Sequence, residues 1–152
     1  MQVNWEITNK CNYNCPYCYN KDKNKRDDLM WRFNTDEVID WTLNSFFSLD
    51  DEFSITLTGG EPTQSPKLKK IIEKIFSYSE KRKVKLHELN FITNGSKDFE
   101  YFKDFRDLPK NIFFIRLSIH PQHWSQRLRN LILDLIENRI PLKVSILFDT
   151  NN

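Results

Sequence analysis

All the thiols of this 152-residue chain lie in one stretch of eight residues, at Cys11, Cys15 and Cys18. Their spacing, C-x3-C-x2-C with Tyr17 directly before the last cysteine, is typical of a loop that binds an iron–sulfur cluster. Such clusters usually take four thiolates, so three thiolates would hold three irons of a four-iron cluster and leave the fourth iron open. The loop therefore predicts chemistry at the metal rather than electron storage alone.

Two other uses of these thiols are less consistent with the sequence. A disulfide framework prefers an even number of cysteines in a secreted chain, and residues 1–10 contain neither an apolar signal segment nor a cleavage site. A structural zinc site needs four ligands, and the fourth would have to be His87, His120 or His123, all distant in sequence. Zinc stays open as an alternative.

Length and composition limit the classes of protein to consider. The chain suits one domain over residues 1–152, and 39% of its residues are apolar, which is enough for a core. Its 23 basic and 21 acidic residues give a net charge of +2, which predicts no obligatory nucleic-acid partner and no membrane partner. No apolar run approaches the roughly 20 residues that span a bilayer. Clustered thiols without a targeting segment predict a cytoplasmic protein.

Hydrophobic patterning divides the chain into five strands and four intervening helices. Short alternating or apolar runs predict strands at residues 3–8, 53–58, 89–93, 113–119 and 142–148. Apolar faces at helical spacing predict helices that start near residue 34, start at Ser65-Pro66, span residues 98–107 and include residues 128–136. This alternation implies parallel strands with right-handed crossovers, and both a closed α/β barrel and an open doubly wound sheet are consistent with it.

Chemically unusual residues directly follow four of the five predicted strands. They are the cysteine loop, Gly59-Gly60-Glu61-Pro62, Asn94-Gly95 and Ser118-Ile119-His120-Pro121. Because α/β proteins bind ligands at the carboxyl ends of their parallel strands, we expect these segments to share one rim. The chain has only three glycines, all in these segments, which indicates that the backbone needs conformational freedom there.

In this order, the motifs resemble those of the radical S-adenosylmethionine (radical SAM) superfamily. The resemblance covers nearly the whole chain and depends on the cysteine loop, Thr58-Gly59-Gly60-Glu61-Pro62 and Thr93-Asn94-Gly95. It implies an α/β fold of the parallel (β/α) barrel type. The family's barrel typically has six strands. With five strands and four helices, the chain is expected to form a partial barrel without the last β/α unit, open where a sixth strand would lie. A partner could complete this barrel.

The resemblance also implies a role for each motif residue. Cys11, Cys15 and Cys18 would bind a 4Fe-4S cluster, whose open iron would take the amino and carboxylate groups of S-adenosyl-L-methionine. Gly59, Gly60 and Glu61 would hold the methionine amino group through backbone carbonyls and the carboxylate. Pro62 would fix the turn.

The resemblance also implies contacts for residues beyond these motifs. The backbone near Tyr17 would meet the adenine, and Asn94 and Ser118 would contact the ribose and the methionine carboxylate. His120 is expected at the rim, where it would touch substrate or cofactor. No catalytic residue is assigned beyond the cluster itself, because the hard chemistry belongs to the cofactors.

The implied activity is reductive cleavage of S-adenosylmethionine to a 5′-deoxyadenosyl radical. This radical would abstract hydrogen from an unidentified substrate, either a peptide or a small molecule. An electron donor such as flavodoxin or ferredoxin follows from the family. Two alternatives remain: an activase that installs a glycyl radical in a partner protein, and a non-catalytic, truncated module that binds a cluster or zinc.

Overall fold

Five parallel strands form a single sheet in the computed structural model, which describes residues 1–18, 35–49 and 52–147. The strands are β1 (Gln2–Thr8), β2 (Glu52–Gly59), β3 (Lys85–Thr93), β4 (Phe113–Ile119) and β5 (Leu142–Ile146). Their order in the sheet is their order in the chain, and each pairs in parallel with the next. A doubly wound sheet would reverse direction at a switch point. This continuous order confirms the predicted partial (β/α) barrel.

Four α-helices of the described residues connect the strands, as the sequence predicts. They are α1 (Asp36–Phe46), α2 (Leu68–Arg82), α3 (Phe99–Phe102) and α4 (Gln126–Glu137). The first begins at its expected cap, because the Thr35 hydroxyl accepts a hydrogen bond from the Val38 N–H at 3.4 Å. None of the helices in the described part of the chain is long and apolar enough to cross a membrane.

Two helices differ from the sequence-based prediction at their ends. The start of α2 is later than Ser65-Pro66 predicts, because residues Pro62–Gln64 first form a short 3-10 helix and Ser65 stays extended. The predicted helix at residues 98–107 is only one turn of α-helix, continued by a 3-10 helix at Lys103–Phe105. Of the strand predicted at 142–148, residue 148 lies outside the described residues.

The core lies on one face of the sheet, between the strands and the helices. Alternate residues of the strands point into it and meet the apolar faces of the helices, as in Ile55, Leu57, Phe91, Ile115, Leu117, Leu43, Ile72 and Leu131. The residues between them face the other way and are mostly polar, as in Thr56, Asn90, Arg116, Ser118 and Ser145. At the carboxyl ends of the strands, this polar face continues into the rim that was predicted as the ligand site.

The sheet is less covered toward β5. Ile136 matches the apolar face of α4 in sequence, but its side chain is 59% exposed, and Val144 and Ile146 of β5 are also exposed. β5 is the edge of the sheet formed by the described residues. Periodicity shows that a helix has an apolar face and does not show that another element covers the whole of it. Ile136 therefore lies on the apolar face of α4 without being buried by it.

Candidate functional site

The carboxyl ends of the strands surround a cavity of about 470 Å³, a size typical of small-molecule sites. Its wall contains ten of the eleven site residues predicted from the sequence, namely Cys11, Cys15, Tyr17, Cys18, Gly59, Gly60, Glu61, Asn94, Ser118 and His120. The exception is Pro62, which is buried as the first residue of the 3-10 helix. The structure therefore brings together four segments that are far apart in sequence.

The turn after β2 is joined by its main chain to the segment that leads into the cysteine loop. The N–H of Gly60 donates to the Thr8 carbonyl at 2.8 Å, and the N–H of Glu61 donates to the Lys10 carbonyl at 2.7 Å. A Cβ atom on Gly60 would lie 2.3 Å from the Lys10 carbonyl oxygen, closer than any real contact. Glycine is therefore needed at position 60 because two backbones touch there.

The cysteine loop presents three thiols to the cavity. Cys15 is buried, whereas Cys11 and Cys18 are partly exposed. The loop is shaped by its own main chain: the Cys18 N–H donates to the Cys15 carbonyl at 3.1 Å, and the Tyr13 N–H points to the Cys11 sulfur at 3.4 Å. Among the described residues, no three His, Cys, Asp or Glu side chains could together hold one metal ion. A four-iron cluster does not require three side chains around one ion, because each thiolate ligates a separate iron.

Glu61 is buried between the ends of β2 and β3, with 1% of its surface exposed. One carboxylate oxygen accepts hydrogen bonds from the Thr63 N–H and from the hydroxyls of Thr63 and Thr93, and the other accepts from the Asn94 N–H at 2.7 Å. Burial raises the pKa of this carboxyl, and the four donors oppose the rise. Burial of the Tyr101 side chain raises its own pKa to about 12, and the charge of Glu61 adds to this rise. The carboxylate thus fastens one rim segment to the next.

Side chains link the cysteine loop to the turn after β3. The Asn94 amide donates to the Asn12 side-chain oxygen at 3.0 Å, and its own oxygen accepts from the Ser96 N–H. Arg127 of α4 donates to the Gly95 carbonyl at 2.9 Å, which holds its positive charge near Tyr13 of the loop. Burial raises the pKa of Tyr13, against the lowering effect of Arg127. The loop is therefore fixed at its middle as well as at its start.

A cluster of rings lies on the β4 side of the cysteine loop. The Tyr17 hydroxyl is 2.6 Å from Nδ1 of His120 and accepts a hydrogen bond from the Gln122 side chain at 2.6 Å. The Cys15 sulfur is 3.7 Å from Nδ1 of His120 and 3.9 Å from Nε2 of His123. His120, predicted only as a rim residue, is therefore also a neighbour of a predicted metal ligand.

Seven residues of the cavity wall are absent from the sequence-based prediction: Tyr13, Thr58, Ile92, Thr93, Arg116, Ser145 and Leu147. Arg116 could have been found, because it lies two residues before Ser118 and four before His120 and therefore shares their face of β4. No comparable signal marks Tyr13, whose position depends on contacts with residues about 110 positions away.

The polar face below the rim carries an unbalanced group of charges. Arg116 and Lys143 are neighbours in the register of β4 and β5, and they share one carboxylate, that of Glu88, at 3.8 and 3.4 Å. The Lys143 ammonium also lies 3.5 Å from the centre of the Phe114 ring. Like charges side by side on adjacent strands are unfavourable unless something compensates them. One carboxylate leaves a local excess of positive charge.

The donor set and the space are consistent with an iron–sulfur cluster and a nucleoside-sized ligand. Three thiols in one wall supply the sulfur ligands that iron prefers. Gly59 and Gly60 line the same cavity and bring no side chain into it.

The sequence matches the family model described as Radical SAM superfamily over residues 5–145. The chain therefore belongs to the radical SAM superfamily, whose members use a 4Fe-4S cluster and S-adenosylmethionine.

Individual relatives agree with this assignment. The chain is 26% identical to the radical SAM cyclopropyl synthase TigE of Paramaledivibacter caminithermalis, an alignment that covers 96% of this chain and 32% of TigE. It is 43% identical over 74 residues to an uncharacterized protein of Methanocaldococcus jannaschii, covering 48% of this chain and 22% of that protein. The chain thus spans about a third or less of these relatives.

A solved structure shares the fold. It is native anSMEcpe with bound AdoMet and Kp18Cys peptide, which superposes with a TM-score of 0.67 at 17% identity. The match covers 95% of this chain and 43% of that one. At this level of identity, the likeness supports the partial barrel and carries no residue roles.

Proposed function

We propose that this chain holds a 4Fe-4S cluster through Cys11, Cys15 and Cys18 and binds S-adenosylmethionine in the 470 Å³ cavity. In this proposal it is the catalytic core of an enzyme that abstracts hydrogen from a peptide or small molecule. One observation carries the proposal: the thiols and the Gly59-Gly60-Glu61 turn, about 40 residues apart, line the same cavity.

The turn after β2 is suited to an ammonium group. Its two N–H donors at Gly60 and Glu61 are used by the carbonyls of Thr8 and Lys10, so the turn would offer acceptors to a ligand. The Glu61 carboxylate accepts four hydrogen bonds from the protein. We therefore assign Glu61 to holding the turn in shape, with the backbone carbonyls meeting the methionine amino group.

The other predicted contacts are retained as proposals. The main chain at Tyr17 would meet the adenine. Ser118 and Ser145 are register partners on β4 and β5, and both line the cavity, so they would present hydroxyls to the methionine carboxylate or to the substrate. Asn94 would contact the ribose while it keeps its hydrogen bond to Asn12. His120 would stay at the rim, next to Tyr17.

When bound and reduced, the cluster and S-adenosylmethionine supply the radical that abstracts hydrogen from the substrate. The electron would come from a donor such as flavodoxin or ferredoxin. Arg116 lines the cavity with Lys143 as its register neighbour on β5, and this positive charge favours a substrate that brings a polar or anionic group into the cavity. We further propose that residues 1–152 act as one domain in the cytoplasm, which the single apolar cluster of the described residues supports.

Anaerobic reconstitution with iron and sulfide tests the proposal. We expect about four irons per chain, and methionine plus 5′-deoxyadenosine after addition of S-adenosylmethionine and dithionite. A triple variant, Cys11→Ala, Cys15→Ala and Cys18→Ala, removes every thiol of the chain and should bind less than a tenth of this iron. Equal iron in wild type and triple variant would refute cluster binding at the predicted loop.

Two further outcomes would favour the alternative functions. Zinc in the purified protein, or S-adenosylmethionine binding without cleavage under reductant, would support a non-catalytic module. A glycyl radical signal that appears on a co-purified partner protein would support an activase. Transfer of deuterium from a labelled substrate into 5′-deoxyadenosine would support direct hydrogen abstraction from that substrate.

A further inference from the structure

We propose that His123 donates a hydrogen bond to the Cys15 sulfur and thereby raises the reduction potential of the cluster, while Tyr17 and Gln122 prevent His120 from doing the same. This inference rests on the proposed function, because it requires Cys15 to be a ligand of the cluster. It assigns to His123 a role in tuning and positioning, without contact to substrate or to the reacting atoms.

The position of the His123 ring is set by its packing. The ring stacks on Tyr13 with centroids 3.8 Å apart and an angle of 25° between the planes. The Arg127 guanidinium, which lies near Tyr13, is held by the Gly95 carbonyl at 2.9 Å. From this position Nε2 of His123 lies 3.9 Å from the Cys15 sulfur, within reach of an N–H···S contact. The donor is therefore placed in advance by groups on two other rim segments.

His120 is closer to the sulfur but is engaged elsewhere. Its Nδ1 lies 3.7 Å from the Cys15 sulfur and only 2.6 Å from the Tyr17 oxygen. The Gln122 amide already donates to that oxygen, so the hydroxyl proton of Tyr17 is available to donate to Nδ1 of His120. A nitrogen that accepts a proton in this way cannot also donate one to sulfur. His120 then carries its proton on Nε2, and His123 supplies the donor.

A donor at this position has a predictable effect on the cluster. Reduction adds one electron, and hence one negative charge, to the cluster and its thiolates. Hydrogen bonds to the cluster sulfurs are one of the factors that set reduction potentials, because a donor stabilises the more negative state more strongly. No bond is made or broken in this step, and the electron comes from the external reductant. His123 should therefore make the cluster easier to reduce.

Two substitutions of His123 distinguish the effect of its N–H donor from the effect of its ring. His123→Phe keeps a ring that can stack on Tyr13 and removes the N–H, whereas His123→Gln keeps an N–H donor and removes the ring. The measurement is the reduction potential of the reconstituted cluster in the absence of S-adenosylmethionine. It is obtained from a redox titration in which the electron paramagnetic resonance signal reports the reduced state. At a fixed solution potential, His123→Phe should lower the reduced-to-oxidised ratio about tenfold, equivalent to about 59 mV for one electron. His123→Gln should recover most of this loss.

Tyr17→Phe provides a test with the opposite sign. Without the hydroxyl, Nδ1 of His120 is released to carry a proton and donate it to Cys15, so the potential should rise above that of the wild type. His87→Phe is the matched control, because His87 pairs with Glu52 at the opposite end of the strands. Its potential should equal that of the wild type.

The outcomes distinguish this inference from the proposed function. A wild-type chain that binds no cluster overturns the proposed function and the inference together. A cluster that loads fully in His123→Phe with an unchanged potential overturns the inference alone. Loss of iron in both His123 variants also overturns it, because the ring would then be a ligand or a structural support. If only His123→Phe loads poorly, a wild-type potential in His123→Gln supports the inference and a lowered one overturns it. A fall or no change in Tyr17→Phe overturns the part assigned to His120.

Discussion

The cysteine loop is held from two sides, and the two sides use different kinds of contact. From β2, the turn at residues 59–61 reaches the strand end before the loop with main-chain hydrogen bonds to Thr8 and Lys10. From β4, residues 120–123 reach the loop with side chains, through His120, Gln122 and His123. Main-chain contacts change only when the strands move, whereas side-chain contacts change one at a time. The β2 side therefore sets the position of the loop, and the β4 side sets the surroundings of its sulfur.

The largest effect is expected from Gly60→Ala, which breaks the β2 side. The new methyl group would lie 2.3 Å from the Lys10 carbonyl oxygen and 2.6 Å from that of Asn9, and both atoms belong to the main chain. We expect a loss of about 3 kcal/mol in the free energy of unfolding, measured with urea on the apoprotein. The cluster should then load to less than half of the wild-type iron content.

Gly95→Ala is the matched control for this variant. Gly95 has a φ of 68°, but its methyl group would meet only the flexible ends of Leu117 and Leu128 at 2.7 Å. We expect about 1 kcal/mol of destabilisation with full iron loading. Equal losses of iron in Gly60→Ala and Gly95→Ala would show that the main-chain contact at Gly60 has no special importance.

A smaller and pH-dependent effect is expected from Glu61→Gln. The amide would place its N–H2 group against a donor, either the Asn94 N–H or the Thr63 N–H, and should cost about 1–3 kcal/mol of unfolding free energy. Because burial raises the pKa of Glu61, the folded chain binds a proton more readily than the unfolded chain. The stability that this group contributes is fully present below its unfolded-state pKa and is lost as the pH rises through its folded-state pKa.

The difference in unfolding free energy between wild type and Glu61→Gln should therefore shrink as the pH rises from about 4.5 toward 8. Urea unfolding of both apoproteins across this range measures it, and the surface carboxylates cancel because both proteins contain them. A difference that grows with pH would mean that the four hydrogen-bond donors outweigh burial and lower the pKa of Glu61.

The smallest effect is expected from Gln122→Ala on the β4 side. Gln122 is exposed and contributes one side-chain hydrogen bond to Tyr17, so the unfolding free energy should change by less than about 0.5 kcal/mol. Iron loading should equal that of the wild type. A loss as large as that of Gly60→Ala would remove the distinction between the two sides.

The strands could be predicted from the sequence because alternating apolar residues report which face of a strand is buried, whereas their order in the sheet followed only from the resemblance to the radical SAM superfamily. Phe113–Ile119 was predicted with its observed bounds. The helix starts were less accurate. The Ser65 hydroxyl accepts a hydrogen bond from the Lys67 N–H at 3.3 Å, as a capping side chain does, but α2 begins only at Leu68. The geometry of the turn decides where a helix begins, and it leaves no periodic pattern in the sequence.

The rim could be predicted because its segments follow the strands directly, and strand ends meet at one edge. Its second layer of contacts could not. The stacking of Tyr13 on His123 and the bond from Arg127 to Gly95 join residues that no spacing rule connects. The types and spacing of the residues were enough to predict the ligands, whereas the residues that surround them became known only from the packing in the structure.

The one-sided core of the sheet has a consequence for how the protein responds to temperature. Only one face of each strand meets the helices, and the opposite face carries groups such as Asn90, Arg116 and Ser118. Unfolding hydrates new apolar area, which increases heat capacity, and new polar area, which decreases it. A sheet with hydrocarbon on a single side therefore has a smaller heat-capacity increment than one buried on both sides. We therefore expect a flatter stability curve, so that cooling weakens this protein less than a protein with a two-sided core.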